Sequence, residues 1–299
     1  MDQLAIETRG LVKRYGEALA VDHLDLQVRC GEVFGLVGPN GAGKTTTIRI
    51  LVGLSEPSAG DVRLFGQPLA GSGPALRAKV GYVGEEQAVY PYMRVSEAMD
   101  FLRAFYPRWD QDLALRIADV FRLPLRQRAG ELSKGMRVQL ALVLALAPRP
   151  PLLILDEPTA GLDPIARRDF LSTVLGEAVG PDQSVLMSSH NLTEVERVVD
   201  RVGIIVHGRM AAVRTVDEFG SSQKRIRVVF QADQPPAGIL DQPGIAGVAR
   251  EGRGYLLTVD GNVEDIMASL ARVPTFALEL LDMSLEDSLL HYAGGDRRA

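Results

Sequence analysis

Four residues of this chain combine the side chains and the neighbours needed to act on a phosphate: Lys44 and Thr45 inside a glycine-rich run, and Asp156 and Glu157 side by side after an apolar run. The first run reads Gly38-Pro39-Asn40-Gly41-Ala42-Gly43-Lys44-Thr45-Thr46, a G-x-x-x-x-G-K-T pattern with a third glycine inside it. Positions without side chains let the backbone fold tightly and turn its N–H groups toward phosphate oxygens. A helix beginning there adds partial positive charge and unpaired donors. Lys44 is then placed to reach β- and γ-phosphates, and the Thr45 hydroxyl to ligate Mg²⁺, so the implied ligand is a nucleoside triphosphate. The competing interpretation is a glycine-rich turn with an exposed lysine.

The second run, Leu152-Leu153-Ile154-Leu155-Asp156-Glu157, puts two carboxylates at the exit of a hydrophobic strand, where α/β folds gather ligand-binding groups. In a triphosphate site Asp156 would hold Mg²⁺ through water, and Glu157 would orient or deprotonate the attacking water. Two acids opening a loop is the alternative; the presence of Lys44 and Thr45 in the same chain favours the catalytic one.

These groups need particular elements to hold them. Glu32 to Val37 reads as a buried strand feeding the glycine run, and Lys44 to Leu54 as a helix with apolar residues at Ile48, Leu51 and Val52. Alternation at Leu4, Ile6 and Thr8, and again at Val21, Leu24, Leu26 and Val28, predicts antiparallel strands ahead of the loop. Gly60–Gly66 and Val80–Val83 read as further strands, Val95 to Leu123 has helical spacing, and Leu140–Ala147 is a buried helix. Leu152–Leu155, Val185–Ser188 and Val202–Val206 are continuous apolar runs of the kind found in parallel strands buried on both faces. Strands separated by helices predict an α/β sandwich with a mostly parallel sheet. Beyond a linker near Phe219–Gln223, alternating Ile226, Val228 and Phe230, a strand at Tyr255–Val259 and an amphipathic helix at Val263–Ala271 predict a small α+β unit.

At 299 residues the chain has room for one large and one smaller domain, with 46% hydrophobic and 24% charged residues. The net charge of −5 gives no support to a nucleic-acid partner held by phosphate contacts, and none is expected. A single cysteine, Cys30, excludes an intrachain disulfide framework and is expected to be a small buried side chain. Met1–Glu7 has neither the basic start nor the apolar core of a secretion signal, and the most apolar stretch falls short of the roughly 20 residues that span a bilayer. The expectation is a cytoplasmic chain that meets a membrane only through a partner.

With these motifs in place, residues 1–220 resemble the ATP-binding subunit of an ABC transporter. The resemblance implies a P-loop ABC-type ATPase with a mostly parallel core sheet, an antiparallel β subdomain and a helical subdomain at about 86–150, followed by the small α+β domain at 221–299. Glu131-Leu132-Ser133-Lys134-Gly135-Met136-Arg137 looks like the family's signature segment, usually L-S-G-G-Q. In the family the serine and the backbone near Lys134 and Gly135 bind the γ-phosphate of ATP held by a second subunit. Here Lys134 stands for a glycine and Met136 for the glutamine. Ala160-Gly161-Leu162-Asp163 resembles the D-loop, in which Asp163 faces the dimer interface, and Ser188-Ser189-His190-Asn191 matches the switch-histidine position, where His190 contacts the γ-phosphate. Tyr15, in Lys13-Arg14-Tyr15-Gly16, matches the aromatic that stacks on adenine. Glu85 stands where the family generally has a glutamine linking Mg²⁺ and catalytic water to the transporter interface; glutamate keeps an acceptor but loses the amide donor.

The resemblance therefore implies ATP and Mg²⁺ as cofactors, an integral membrane permease as partner, and a second ATP-binding subunit, as a homodimer. Ala88–Val95, with Tyr90, Tyr92 and Met93, is the expected docking surface for the permease. Ser284-Leu285-Glu286-Asp287 resembles stand-alone subunits of bacterial exporter-type systems, so export is the expected direction. The alternative is a non-transport ABC ATPase, either regulatory or associated with ribosomes or nucleic acid; the single nucleotide module and the lack of a long basic linker disfavour the latter.

Overall fold

The computed structural model describes residues 3–86, 89–174, 176, 183–190, 195–216, 218, 223–232 and 234–282. Gln87, Ala88, Asn191, residues 219–222 of the expected linker and Ser284–Asp287 lie outside them. The chain divides into two compact units, Met1–Val213 and Arg214–Ala299, so the division falls seven residues before the expected boundary.

The first unit opens with strands β1 (Leu4–Tyr15) and β2 (Ala18–Arg29), paired antiparallel with Tyr15 opposite Ala18. Alternation buries Ile6, Thr8, Leu24, Leu26 and Val28. Thr8 keeps its hydroxyl satisfied by donating to Leu24 O at 2.8 Å and accepting from Leu26 N at 2.9 Å. Strands β4 (Ala59–Leu64) and β5 (Gln67–Pro68) complete an antiparallel sheet of order β2-β1-β4-β5.

The central sheet holds β3 (Val33–Val37), β6 (Val80–Val83), β7 (Leu152–Asp156), β8 (Ser184–Ser189), β9 (Arg201–Val206) and β10 (Arg209–Thr215), in the order β10-β9-β3-β8-β7-β6. The contacts β9-β3, β3-β8, β8-β7 and β7-β6 are parallel. Every residue of β7 is buried, which explains its unbroken apolar run. Because β3, β7 and β8 run side by side in one direction, their C-terminal ends bring the glycine loop, Asp156-Glu157 and Ser188-Ser189-His190 to one edge of the sheet.

Helix α1 (Lys44–Leu51) follows the glycine loop and α2 (Pro74–Arg77) is a short turn before β6. The helical spacing of Val95–Leu123 resolves into two helices, α3 (Val95–Arg103) and α4 (Gln111–Val120). Pro107 lies between them, lacking an N–H and disfavouring helix at Tyr106. Asp110 restarts the helix, its carboxylate accepting from Leu113 N at 2.9 Å. Helix α5 (Lys134–Leu146) buries Val138, Leu140, Leu142, Val143, Leu144 and Leu146, and α6 (Pro164–Thr173) follows the acidic strand. Cys30 corrects the expectation of burial: it is exposed at the turn between β2 and β3, where hydrophobic alternation has ended.

The second unit comprises β11 (Gln223–Phe230), β12 (Ile245–Glu251), β13 (Gly254–Asp260), α7 (Val263–Ala271) and β14 (Thr275–Asp282). Its antiparallel sheet has the order β12-β13-β11-β14. Ile226, Val228, Phe230, Leu257 and Val259 pack against Ile266 and Leu270 of α7 to form a core of its own.

Candidate functional site

The glycine loop adopts the conformation that its composition demands. Gly43, at φ 106°, occupies left-handed backbone, and a Cβ there would lie 2.5 Å from Ala20 O. A Cβ on Gly38 would collide with the Ile205 carbonyl and come within 2.9 Å of its Cγ2. The loop is thus pressed against β9 and β2, leaving its other side open. That open side is a cavity of about 380 Å³ lined by Asn40, Gly41, Ala42, Gly43, Lys44, Thr45 and Thr46, with Glu85, Glu157, Ala160, His190 and Ala20 around them.

Lys44 is 5% exposed and its ammonium is fully engaged. It donates to Gly38 O at 2.7 Å and Pro39 O at 3.3 Å, and lies 3.2 Å from Glu157 Oε1. The other Glu157 oxygen, Oε2, meets His190: the ring Nδ1 is 2.7 Å away, a distance at which an Nδ1–H donates, and the backbone N–H donates at 3.3 Å. Glu157 itself holds a left-handed backbone, φ 48°, a conformation that costs a non-glycine residue energy and is concentrated at functional sites. Its N–H donates to Ser188 Oγ at 2.9 Å, which fixes the turn.

Asp156 is fully buried. Its Oδ1 accepts from Ser188 Oγ at 2.7 Å and from Thr45 Oγ1 at 3.2 Å, whereas Oδ2 is buried with no hydrogen-bond partner. Burial pushes its pKa up; the Ser188 and Thr45 hydroxyls oppose that shift, and the nearby charges of Glu157 and Glu85 add to it. A buried carboxylate with one oxygen unpartnered and the other on a threonine hydroxyl is a hard-oxygen donor set of the kind Mg²⁺ takes. Asp156 and Thr45 therefore fit the metal, with Glu85 on the cavity wall. Such a cation would reverse the effect of burial by favouring the ionised carboxylate.

The structure thus brings Lys44, Thr45, Thr46, Glu85, Asp156, Glu157 and His190 together with the loop. Ser188 was missed as a site residue, although its place at the end of an apolar strand beside β7 is the signal that could have found it. Ala20 was missed too, and being small and apolar it carries no chemical signal, whereas Ala160 enters only as the first residue of the D-loop-like segment. Tyr15, Ser133, Lys134, Gly135 and Asp163 do not line this cavity. Ser133 caps α5 by accepting from Met136 N at 3.2 Å, and Asp163 caps α6 by accepting from Ile165 N and Ala166 N. The two segments pack on each other: a Cβ on Gly135 would lie 3.1 Å from Leu162 Cδ2, and one on Gly161 2.8 Å from Lys134 Nζ. Tyr15 is half exposed, with Lys13 Nζ 5.0 Å from its ring centroid.

Residues 21–160 match the family model described as ABC transporter. The chain is 33% identical over 317 residues to the daunorubicin resistance ATP-binding protein DrrA3 of Streptomyces coeruleorubidus, an alignment covering all of this chain and 98% of that one. The chain belongs to the ABC transporter family. Within it, the chain is also 29% identical over 293 residues to the ABC transporter ATP-binding protein YtrB of Bacillus subtilis (strain 168), covering 98% and 99% of the two chains. The solved structure described as the ATP binding subunit of an ABC transporter superposes with a TM-score of 0.65 at 31% identity, over 72% of this chain and 91% of that one. The α/β fold, with its mostly parallel central sheet, its antiparallel sheets and its helices, is that of an ABC ATPase cassette, and the protein is an ABC-type ATPase. Among the described residues, no helix of this ABC ATPase is long and apolar enough to cross a membrane.

Proposed function

We infer that this chain hydrolyses Mg²⁺–ATP to energise transport, in the export direction, through a separately encoded transmembrane partner at the cytoplasmic face of the membrane. The observation that carries the chemistry is the buried, unpartnered Oδ2 of Asp156, whose other oxygen, Oδ1, accepts from the Thr45 hydroxyl. Asp156 and Thr45 would hold the metal, which when bound would supply positive charge to polarise the phosphoryl oxygens, and Lys44 and the loop N–H groups bind the β- and γ-phosphates. Glu157 accepts a proton from the attacking water, and His190, already on Glu157 Oε2, positions that carboxylate and the γ-phosphate. Glu85 acts as the metal and water sensor on the cavity wall. Tyr15 stacks on adenine.

Ser133, Lys134, Gly135 and Asp163 complete the site of a second copy in a nucleotide-closed pair. What supports this division is that they lie outside the cavity of their own chain while the two segments bearing them are packed together. Support for export comes from relatives named for drug resistance and for bacitracin transport. Within the expected docking surface the exposed rings of Tyr90 and Tyr92 stack at 5.6 Å, and outside it Phe101, 5.9 Å from Tyr90, and Phe105, 5.2 Å from Phe101, extend the run of rings. The test is isolation of the native complex from solubilised membranes. A stoichiometric multi-span membrane protein that raises the ATPase rate is the expected result; a chain recovered alone, with turnover stimulated by nucleic acid, contradicts the reading.

A further inference from the structure

Among the described residues, the second unit ends its sheet on an unpaired edge. In the order β12-β13-β11-β14, strand β14 pairs with β11 on one side and, among the described residues, with no strand on the other. Its eight residues, Thr-Phe-Ala-Leu-Glu-Leu-Leu-Asp, include neither lysine nor proline, the residues that usually keep an edge from pairing. Phe276 is 74% exposed and Leu280 48% exposed, although Leu278 between them packs against the core. Leu278 and Leu280 lie opposite Val228 and Ile226 and so share the face that α7 covers. Phe276 is the extra residue of a bulge where the register passes from Val229–Ala277 to Phe230–Thr275, which is a device that redirects a side chain.

We propose that this edge is a homodimer contact, in which β14 of one chain pairs antiparallel with β14 of a second copy. The pairing rules select one register. Residues opposite each other in an antiparallel pair must both point their backbone groups at the partner or both away, so in a twofold pairing of one strand with itself the twofold axis passes through a residue. An axis at Glu279 sets that carboxylate against its own copy, a like-charge pair. An axis at Leu280 leaves both Phe276 rings outside the paired region, and an axis at Ala277 sets each exposed Leu280 against Pro274, which precedes the strand. An axis at Leu278 does none of these: Leu278 opposes itself, Ala277 faces Glu279, and the exposed Phe276 of each chain meets the exposed Leu280 of the other. The contact needs no nucleotide, and it would hold two chains together independently of the proposed ATP-dependent closure.

The test uses the full-length chain without nucleotide. Sedimentation should show a concentration-dependent dimer, and Phe276→Lys, at a position too exposed to be needed for folding, should weaken it at least tenfold while leaving ATP affinity unchanged. A wild-type chain that is monomeric without nucleotide overturns the proposal, as does a Phe276→Lys dimer of unchanged affinity. Register is read by single cysteines in a Cys30→Ser background. Opposed Cα atoms in an antiparallel pair are about 4.5–5.5 Å apart, within disulfide range, whereas neighbours two residues out of step are not. Leu278→Cys should give a covalent dimer on oxidation and Glu279→Cys and Leu280→Cys should not; crosslinking through either of the latter two in place of Leu278→Cys overturns the register.

Discussion

The Lys44–Glu157 contact predicts that Glu157→Gln both slows hydrolysis and tightens nucleotide binding. The three donors of the Lys44 ammonium are occupied by Gly38 O, Pro39 O and Glu157 Oε1 at 2.7, 3.3 and 3.2 Å. An incoming phosphate must take one of them, and Glu157 holds the only formal charge in the set. Both side chains are mostly buried, at 5% and 10% exposure, so the pair is not screened as a surface ion pair would be. A hydrogen bond to a charged group is worth about 1.5–3 kcal/mol; glutamine keeps a neutral version of it, so about 1 kcal/mol is released. Removing a unit charge roughly 6 Å from the incoming phosphate relieves about 0.7–2.8 kcal/mol for an effective dielectric between about 80 and 20. Allowing for the metal that neutralises part of that charge, the net gain is about 1–2 kcal/mol, or roughly five- to thirty-fold in affinity. Titration with a fluorescent non-hydrolysable ATP analogue and Mg²⁺ measures it, and loss of the catalytic base should lower steady-state turnover by about 10²–10⁴. Unchanged affinity would refute the competition between Glu157 and phosphate for Lys44; unchanged turnover would remove Glu157 from the chemistry.

Further expectations follow from neighbouring contacts. Lys44→Ala should weaken ATP binding about 10- to 150-fold, the value of one charge-assisted hydrogen bond, in the same titration. Ser188→Ala takes the 2.7 Å donor from Asp156 Oδ1 and the 2.9 Å acceptor from Glu157 N; phosphate-release assays should show turnover falling at least tenfold, and unchanged turnover would make that serine a bystander. Asp110→Ala should cost about 1 kcal/mol, the value of an N-cap, read by denaturant titration of Trp109 fluorescence. The Leu113 N–H, and after it Arg149, hold the Asp110 carboxyl below the ordinary carboxylate range. A depressed carboxyl stabilises the fold above its unfolded pKa and loses that contribution as pH falls through the folded value. The wild-type advantage should therefore be full at neutral pH and shrink on acidification below about pH 4.

Much of the site was legible because its signals are local. The glycines between Gly38 and Gly43 announce a backbone that other residues cannot adopt, and Asp156-Glu157 announces itself by following a run apolar enough to be a central strand. Ser188 was harder to see, because its role depends on β8 lying beside β7, a non-local pairing. Ala20 reaches the cavity wall only through the close approach of Gly43 to the β2 backbone. The break between α3 and α4 shows the limit of periodicity: apolar residues kept helical spacing across Pro107 although the backbone could not. Cys30 was misread because residue type outweighed its place beyond the last alternating position of β2. The place of β14 at the edge of its sheet, among the described residues, has no counterpart in sequence pattern, since edge and interior strands of an antiparallel sheet alternate alike.

The account centres on Asp156 as the anchor of a catalytic metal, and phosphate release from ATP as Mg²⁺ is titrated tests that most directly. Wild-type hydrolysis should rise saturably from a negligible metal-free rate, and Asp156→Ala should abolish the rise while retaining metal-free nucleotide binding. Hydrolysis that proceeds without Mg²⁺, or that survives in Asp156→Ala with the wild-type metal dependence, would contradict it.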